Sequence, residues 1–400
     1  MKILIASPRL PQPWGKADSI TVYRLVKYLS REHEIHLVCF YEDPAEMSFL
    51  PELEKYCRGV HTRMLKNWKF LVKLPRCCFS PTPLQVCYYM DGRMRRTIDA
   101  VVDEIQPDLA YAHLIRMAPY LQAKKGPKRI LAMQISQTLN YRRMIENISN
   151  PFHRLLYGLE YRKVRKYEPA VTRHFDSCLL ISRFDREALD GHEAIDNIFY
   201  SPHGIDVAYY TPSAEAEKEN SLLFSGVLET PTNVDAVSYF HREIYPLIKR
   251  EIPGIKLRLV GKNPARAIQR IAVADKSVSV TGFVEDLRPY YERARVGIDP
   301  LRIGAGLQNK LLIGMSMGLP MVCTSIANEG IGAQPGRHLL VADQPGEFAA
   351  AVVKLFRDRD QAREIAAAAR RHVEEYWTWE YHFRALSRHL RRLAGEEETG

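Results

Sequence analysis

The residues best suited to chemistry lie between Asp299 and Val341. An apolar strand, Val296-Gly297-Ile298, carries the chain to Asp299. A glycine turn follows, Gly304-Ala305-Gly306, and opens into a helix expected from about Leu307 to Met317. Gly318-Leu319-Pro320 stops that helix, and Met321 to Thr324 reads as the next strand. A glycine turn feeding a helix start leaves backbone N–H groups unpaired, with the positive end of the helix dipole behind them. Lys310 adds a full charge one turn in. A phosphate or diphosphate suits such a site. The bland alternative is an ordinary strand–turn–helix with a solvated lysine, and a G-x-G turn by itself does not decide between the two.

Three further positions stand where strands end. Asp108 to His113, DLAYAH, reads as a strand closing on a histidine. Asp176 to Ser182, DSCLLIS, is a buried strand closing on Ser182-Arg183. The loop Pro8 to Lys16 follows the first strand and carries Gly15-Lys16. In a parallel sheet ligands sit beyond the carboxyl ends of strands, so the Gly15-Lys16 loop and His113 face the ligand side. A lone histidine is more often a packing residue, and the strand end is what favours a functional reading of His113.

These positions need elements to hold them. Lys2 to Ala6 reads as strand, Ser19 to Ser30 as helix, with Ile20, Tyr23, Leu25, Val26 and Leu29 on one face, and His33 to Tyr41 as strand. This βαβ grammar continues. Met94–Ile105 and Phe152–Tyr167 are expected helices. Leu222 to Gly226 starts a second sheet, Asp235 to Arg250 is an expected helix, and Lys256–Val260 and Val278–Phe283 are expected strands. Repeated βα units call for parallel sheets with right-handed crossovers. The fold class is therefore α/β.

Composition narrows the class. The 400 residues are 46% hydrophobic and 26% charged, ordinary for a globular protein with ample core. Seven cysteines show no C-x-x-C pair and no Cys/His ligand spacing, which reads as reduced thiols in a cytoplasmic protein. The apolar start, Met1 to Ala6, is too short for a signal peptide, and no run approaches the ~18–20 residues of a membrane span.

Charge is uneven. The net charge is +10, and residues 1–200 hold 31 Lys+Arg against 22 Asp+Glu. Lys124 to Arg173 is the most basic span, with 12 Lys+Arg against Glu146, Glu160 and Glu168. Leu65 to Phe79, LKNWKFLVKLPRCCF, interleaves basic with aromatic and aliphatic residues. It reads equally as a helix lying on a membrane surface or as one docked on the sheet edge. A basic half favours anionic partners: a nucleotide sugar, phospholipid headgroups or nucleic acid.

PLRIGAGLQNKLLIGMSMGLPMV resembles the donor-site segment of GT-B glycosyltransferases, family 4 in particular, where the segment ends in a pattern like NK-x-LEAMAMG-x-PVV. Within that family the closest likeness is to sugar transferases of bacterial exopolysaccharide and exosortase-associated clusters. The resemblance implies two facing Rossmann-like domains with a cleft between them. The acceptor-side domain would span 1–205, the donor domain 206–379, and the terminal helix at about 380–395 would return to the first. His203-Gly204-Ile205-Asp206 resembles the hinge between domains, with His203 where the family has asparagine. Gly15 and Lys16 would lie near the donor diphosphate, His113 would face the donor sugar as the catalytic-site residue, and Ser182 would face the cleft. Gly282 and Phe283 would bracket the base. Gly304, Ala305, Gly306, Leu307, Asn309 and Lys310 would hold the diphosphate.

Two departures matter. The family's ribose-binding glutamate falls at Ile313, which cannot accept a hydroxyl, so Glu329 on the following loop is the candidate substitute. The loop Val227 to Asn233 lacks the Arg and Lys that grip the diphosphate in typical members. The implied function is transfer of a sugar from a nucleotide-sugar donor to a cell-surface polysaccharide or lipid-linked acceptor. The resemblance also implies retention of configuration, no cofactor and no metal. The enzyme would be cytoplasmic, at or near an anionic membrane surface, with no nucleic-acid partner. A non-catalytic paralogue, a nucleotide-sugar epimerase and a nucleic-acid binder are the rival readings. Turnover of a nucleotide sugar removes the first, dependence on an acceptor removes the second, and absence of a steep salt-dependent affinity for DNA removes the third.

Overall fold

The computed structural model describes residues 1–396 apart from 15, 124, 148–149, 190–194, 214–216 and 305, and gives only the backbone of Asn67, Lys69, Leu71 and Asn147. Gly15 and Ala305, both expected site residues, therefore lie outside the described residues. Contacts divide the chain into two compact units: Met1–Pro202 together with His382–Gly400, and His203–Tyr381.

The first unit holds a seven-stranded sheet in the order β3-β2-β1-β4-β5-β6-β7. Its strands are β1 (Lys2–Ser7), β2 (Glu34–Tyr41), β3 (Gly59–Met64), β4 (Leu109–His113), β5 (Lys128–Gln134), β6 (Ser177–Leu180) and β7 (Ile198–Tyr200). The second unit holds a six-stranded sheet in the order β10-β9-β8-β11-β12-β13. These strands are β8 (Ser221–Ser225), β9 (Lys256–Val260), β10 (Val278–Val280), β11 (Val296–Asp299), β12 (Met321–Cys323) and β13 (Leu340–Val341). Every pairing in both sheets is parallel. The α/β class expected from the βα rhythm is the class found.

The reason is visible in the strands themselves. Ile3, Leu4, Ile5 and Ala6 of β1 and Leu37 to Phe40 of β2 are all buried, so these strands are covered on both faces. A sheet covered on both faces needs continuous apolar runs rather than alternation, and that is the signature of parallel strands. Each such Leu or Ile contributes roughly 1.5–3 kcal/mol by leaving water. Strand order reverses direction between β1 and β4 in the first sheet and between β8 and β11 in the second. Those two points are where an open parallel sheet leaves a crevice at its carboxyl edge.

In the first unit one long helix, Pro151–Thr172, ties down three others. Its Glu160 carboxylate accepts the amides of Leu84 (2.9 Å) and Gln85 (3.2 Å), which open the helix Leu84–Tyr89. About two turns on, Glu168 accepts the amides of Gln137 (2.7 Å) and Thr138 (2.9 Å) and the Thr138 hydroxyl (2.6 Å), which open the helix Gln137–Asn147. Between them, Lys163 Nζ donates to the carbonyls of Cys77 (2.7 Å) and Cys78 (3.0 Å), at the end of the helix Asn67–Phe79. Amides at helix starts want negative partners and carbonyls at helix ends want positive ones, and one helix supplies both.

In the second unit, the single helix expected over Asp235–Arg250 is interrupted. It runs as Pro231–Tyr239, a π-turn Phe240–Ile244, and Tyr245–Glu251. Pro246 has no N–H to continue the ladder, and the widened turn absorbs the defect. Among the described residues no helix is long and apolar enough to cross a membrane.

Burial pushes the Glu168 carboxyl up to about 7, against the pull of the hydrogen bonds from Thr138, Gln137 and Ser136. A folded-state value above the ordinary carboxyl range means that the native state holds the proton more tightly. This group's contribution to stability is therefore full at low pH and is lost as pH rises toward and through about 7. Glu168→Gln removes the charge and one acceptor, and should cost on the order of 1–3 kcal/mol. The gap between wild type and variant, read by chemical denaturation, should narrow between pH 5 and pH 7.5. A gap that widens instead would show that the native state favours the carboxylate.

Candidate functional site

At the carboxyl edge of the second sheet, loops after adjacent strands lie against one another. Gly261 follows β9 with φ +151°, and a Cβ placed there would stand 1.7 Å from the carbonyl oxygen of Gly226, which follows β8. Gly261 also bridges Gly282, beyond β10. Glycine is required here because two backbones touch. The same holds at Gly330, where a Cβ would stand 2.2 Å from the Gly306 carbonyl oxygen. That contact brings the loop carrying Glu329 against the glycine turn after β11.

The turn itself contains Gly304 and Gly306, both with positive φ. It leads to the helix Asn309–Ser316, whose N-cap residue Gln308 makes no side-chain cap bond. The helix starts two residues later than expected and is shorter, leaving Leu307 half-buried in the approach. Its first turn therefore presents backbone amides at the switch point between β8 and β11.

Lys310 is the first charge on this helix, and its ammonium already has protein partners. Nζ donates to Asp299 Oδ1 at 3.1 Å, Asn233 Oδ1 at 3.3 Å and Gln308 Oε1 at 3.5 Å, and it stands 4.9 Å from the centre of the Phe224 ring. Asp299 is fully buried, and its Oδ2 has no hydrogen-bond partner among the described residues. Burial pulls the Asp299 carboxyl above its ordinary range, opposed by the Lys310 charge. Asn233 is held in turn by its amide, which donates to the Val227 carbonyl at 2.9 Å. The loop that lacks Arg and Lys thus contributes an asparagine that orients the lysine.

Around this centre, Ile313 is half-buried and packs against the apolar core of the unit. Glu329 is half-buried on the loop that Gly330 anchors, while Asn309 and Phe283 are exposed. Gly282 occupies the left-handed region at φ +74°. Arg302, which the sequence did not single out, forms a salt bridge to Asp235 at 2.5 Å and stacks over Tyr239. Asp299 was equally unassigned. Its signal was a carboxylate ending an apolar strand, where a buried acid needs a cation.

In the first unit, His113 ends β4 beside the switch point with β1. It is fully buried, stacks on Tyr111 at 6.2 Å between ring centres, and its ring nitrogens meet no other side chain among the described residues, with the Asp18 main chain as the nearest polar partner. Burial pushes its pKa down to about 4, with the Asp18 carboxylate pulling the other way, so the ring is neutral at neutral pH. The loop after β1 is held by Arg9, which is ion-paired with Asp18 and stands 3.8 Å from Glu42. Lys16 is exposed at the start of the helix Ala17–Leu29 and makes no side-chain cap bond. The Ser182 hydroxyl donates to Asp185 Oδ2 at 2.6 Å, and Asp185 also accepts the Ser136 amide at 2.8 Å. Asp185 thereby ties the helix Arg183–Leu189 to the start of another, and Ser182 caps its own helix and holds that carboxylate. Among the described residues no three His, Cys, Asp or Glu side chains stand together as a metal-ligand set.

Residues 219–358 match the model of the family described as Glycosyl transferases group 1. They form a group 1 glycosyl transferase domain. The match takes in all six strands from β8 to β13 and ends with the helix Pro345–Arg357, so the glycine turn and Lys310 lie inside it. Over the whole chain, the fold is that of GT-B glycosyltransferases. Sucrose-phosphate synthase from Thermosynechococcus elongatus superposes with a TM-score of 0.74 at 14% identity, covering 99% of this chain and all of that one. Anabaena HepE in complex with UDP-glucose gives 0.70 at 11% identity, covering 98% of this chain and all of that one. A Klebsiella pneumoniae protein described as an uncharacterized 44.6 kDa protein in the cps region is 22% identical over 388 residues, 94% of this chain and 96% of its own. The transferase domain makes the chain a glycosyltransferase.

Lys310→Met leaves the Asp299 carboxylate buried without a cation, which should cost about 3–5 kcal/mol of stability. Pairing Lys310→Met with Asp299→Asn removes both charges and should recover most of that loss. Denaturant titrations of the single and double variants form the cycle. Strict additivity of the two single changes would mean that the pair is not coupled.

Proposed function

We propose that this glycosyltransferase moves a sugar from a nucleotide-sugar donor onto an acceptor in cell-surface polysaccharide synthesis, a glycan or a lipid-linked one. One observation carries the reading. The glycine turn, the open helix start and Lys310 all converge on the β8/β11 switch point of the transferase domain. Support for the donor class comes from HepE, which was solved with UDP and with UDP-glucose. Support for the pathway comes from the Klebsiella relative in a cps region.

In this reading the donor diphosphate lies on the amides of Gly304 to Leu307 and the first turn of the helix from Asn309, with Lys310 behind them. Asp299 and Asn233 fix the direction of the ammonium. Charge grows on the diphosphate as the anomeric C–O bond breaks, and preorganised amides and a fixed cation stabilise it without reorganising. No bound metal is needed for that duty. The acceptor hydroxyl oxygen bonds to the anomeric carbon on the face that the phosphate leaves, its proton passing to the departing phosphate oxygen, and attack on that face retains configuration. Gly282 and Phe283 border the base. Neutral His113 is suited to a sugar hydroxyl, and we assign Lys16 and Ser182 to the same side, with Gly15, outside the described residues, assigned beside them. All seven cysteines are free, in keeping with a cytoplasmic enzyme.

Ile313 motivates the second reading, a non-catalytic paralogue, because a half-buried isoleucine offers the ribose an apolar wall. Glu329, brought against the glycine turn by Gly330, is the residue we assign to the ribose instead. A thermal-shift screen of nucleoside diphosphates tests the donor site: at 100 times its dissociation constant, a true ligand adds about 2.7 kcal/mol. Release of nucleoside diphosphate that depends on added acceptor then separates transferase from paralogue. Ile313→Glu should raise affinity for a ribonucleotide diphosphate about tenfold, equivalent to ~1.4 kcal/mol. Weaker or unchanged binding would move the ribose away from this helix face.

A further inference from the structure

Two helices of the first unit turn apolar stripes outward. On Asn67–Phe79, Phe70, Leu74 and Cys77 face inward, and Phe70 meets Tyr88 edge-on at 5.2 Å. The opposite stripe, at i, i+4 and i+11, is Trp68, Val72 and Phe79, which are 62%, 74% and 93% exposed. On Pro151–Thr172, no residue before Glu160 is buried, and Phe152, Leu156 and Leu159 lie at i, i+4 and i+7 with exposures of 71%, 42% and 49%. Stripes of this kind normally face a core.

The two stripes adjoin. Continuing the second by one turn reaches Lys163, whose ammonium bonds the Cys77 and Cys78 carbonyls, immediately before Phe79. The apolar line along the long helix therefore runs to the end of the apolar line on the other, and together they form one surface. Its charge is of one sign. Arg76, Arg162 and Lys166 are exposed beside the stripes. Asn67–Phe79 contains no acidic residue, and the only two on Pro151–Thr172, Glu160 and Glu168, are buried against the amides of neighbouring helices. Neither helix exposes a carboxylate.

We propose that this paired face docks the protein on an anionic lipid bilayer, the stripes entering the headgroup boundary and the bases meeting lipid phosphates. Charge selects the occupant. A second copy would bring the same positive face to meet it, whereas an anionic leaflet complements the bases and accepts aliphatic side chains. The surface is independent of the donor site, and the proposal does not rest on the transfer reading.

The test uses the full chain and flotation with vesicles of phosphatidylcholine alone or with about one-quarter phosphatidylglycerol. Binding should require the anionic lipid and fall at high salt, as screened contacts do. Val72→Ser, Phe79→Ser and Phe152→Ser combined, all at exposed positions, should weaken partition by about tenfold or more while the melting temperature and nucleotide binding stay unchanged. Arg76→Gln, Arg162→Gln and Lys166→Gln should each weaken it about fivefold. Equal binding to both vesicles, binding to neither, or undiminished binding by both sets of variants would overturn the proposal. So would a concentration-dependent dimer, lost in the serine variant, without vesicle binding.

Discussion

In both sheets every strand pair is parallel, so each connection crosses back over the sheet and each strand delivers its following loop to the same edge. Helices that begin there bring unpaired amides, and loops squeezed side by side there can be only as bulky as their neighbours allow. The close approach of Gly261 to the Gly226 carbonyl, and of Gly330 to that of Gly306, is the local result. Where strand order reverses, two such loops part rather than pack. His113 stands beside the reversal in one unit, and the glycine turn with Lys310 stands at it in the other.

The architecture was legible because it is written in local pattern. Buried parallel strands such as β1 and β2 read as unbroken apolar runs, and the glycine turn with Gly318-Leu319-Pro320 bracketed the helix Asn309–Ser316. What escaped depends on contacts distant in sequence. The strand Gly59–Met64 has no fully buried residue, so its apolar signal is weak, and its place comes from pairing with β2. The break near Pro246 was marked by the proline, yet helical periodicity on either side concealed it. Asp299 and Lys310 are eleven residues apart, and nothing in either position alone announces the pair.

Buried charge is handled in three ways. Asp299 is matched with a cation, and Glu160 and Glu168 are matched with backbone amides at helix starts. His113 is kept neutral by its surroundings. These solutions differ in what they fix. The ion pair fixes the direction of one ammonium, the glutamates fix whole helices, and the neutral imidazole keeps both donor and acceptor chemistry available within an apolar strand end. Two of the three acids of the basic span Lys124–Arg173, Glu160 and Glu168, are structural members, while Glu146 is exposed.

The long helix binds its neighbours chiefly through their main-chain atoms, with the Thr138 and Ser136 hydroxyls added at Glu168. Glu160, Lys163 and Glu168 reach amides and carbonyls that any residue carries. The clasped helices are thus free to drift in sequence without losing their anchorage, while the three clasping positions are not. In a lineage of such proteins, the outer helices of this unit can be refitted to new surroundings by ordinary substitution. The long helix would record that history as three unchanging residues in an otherwise changeable neighbourhood.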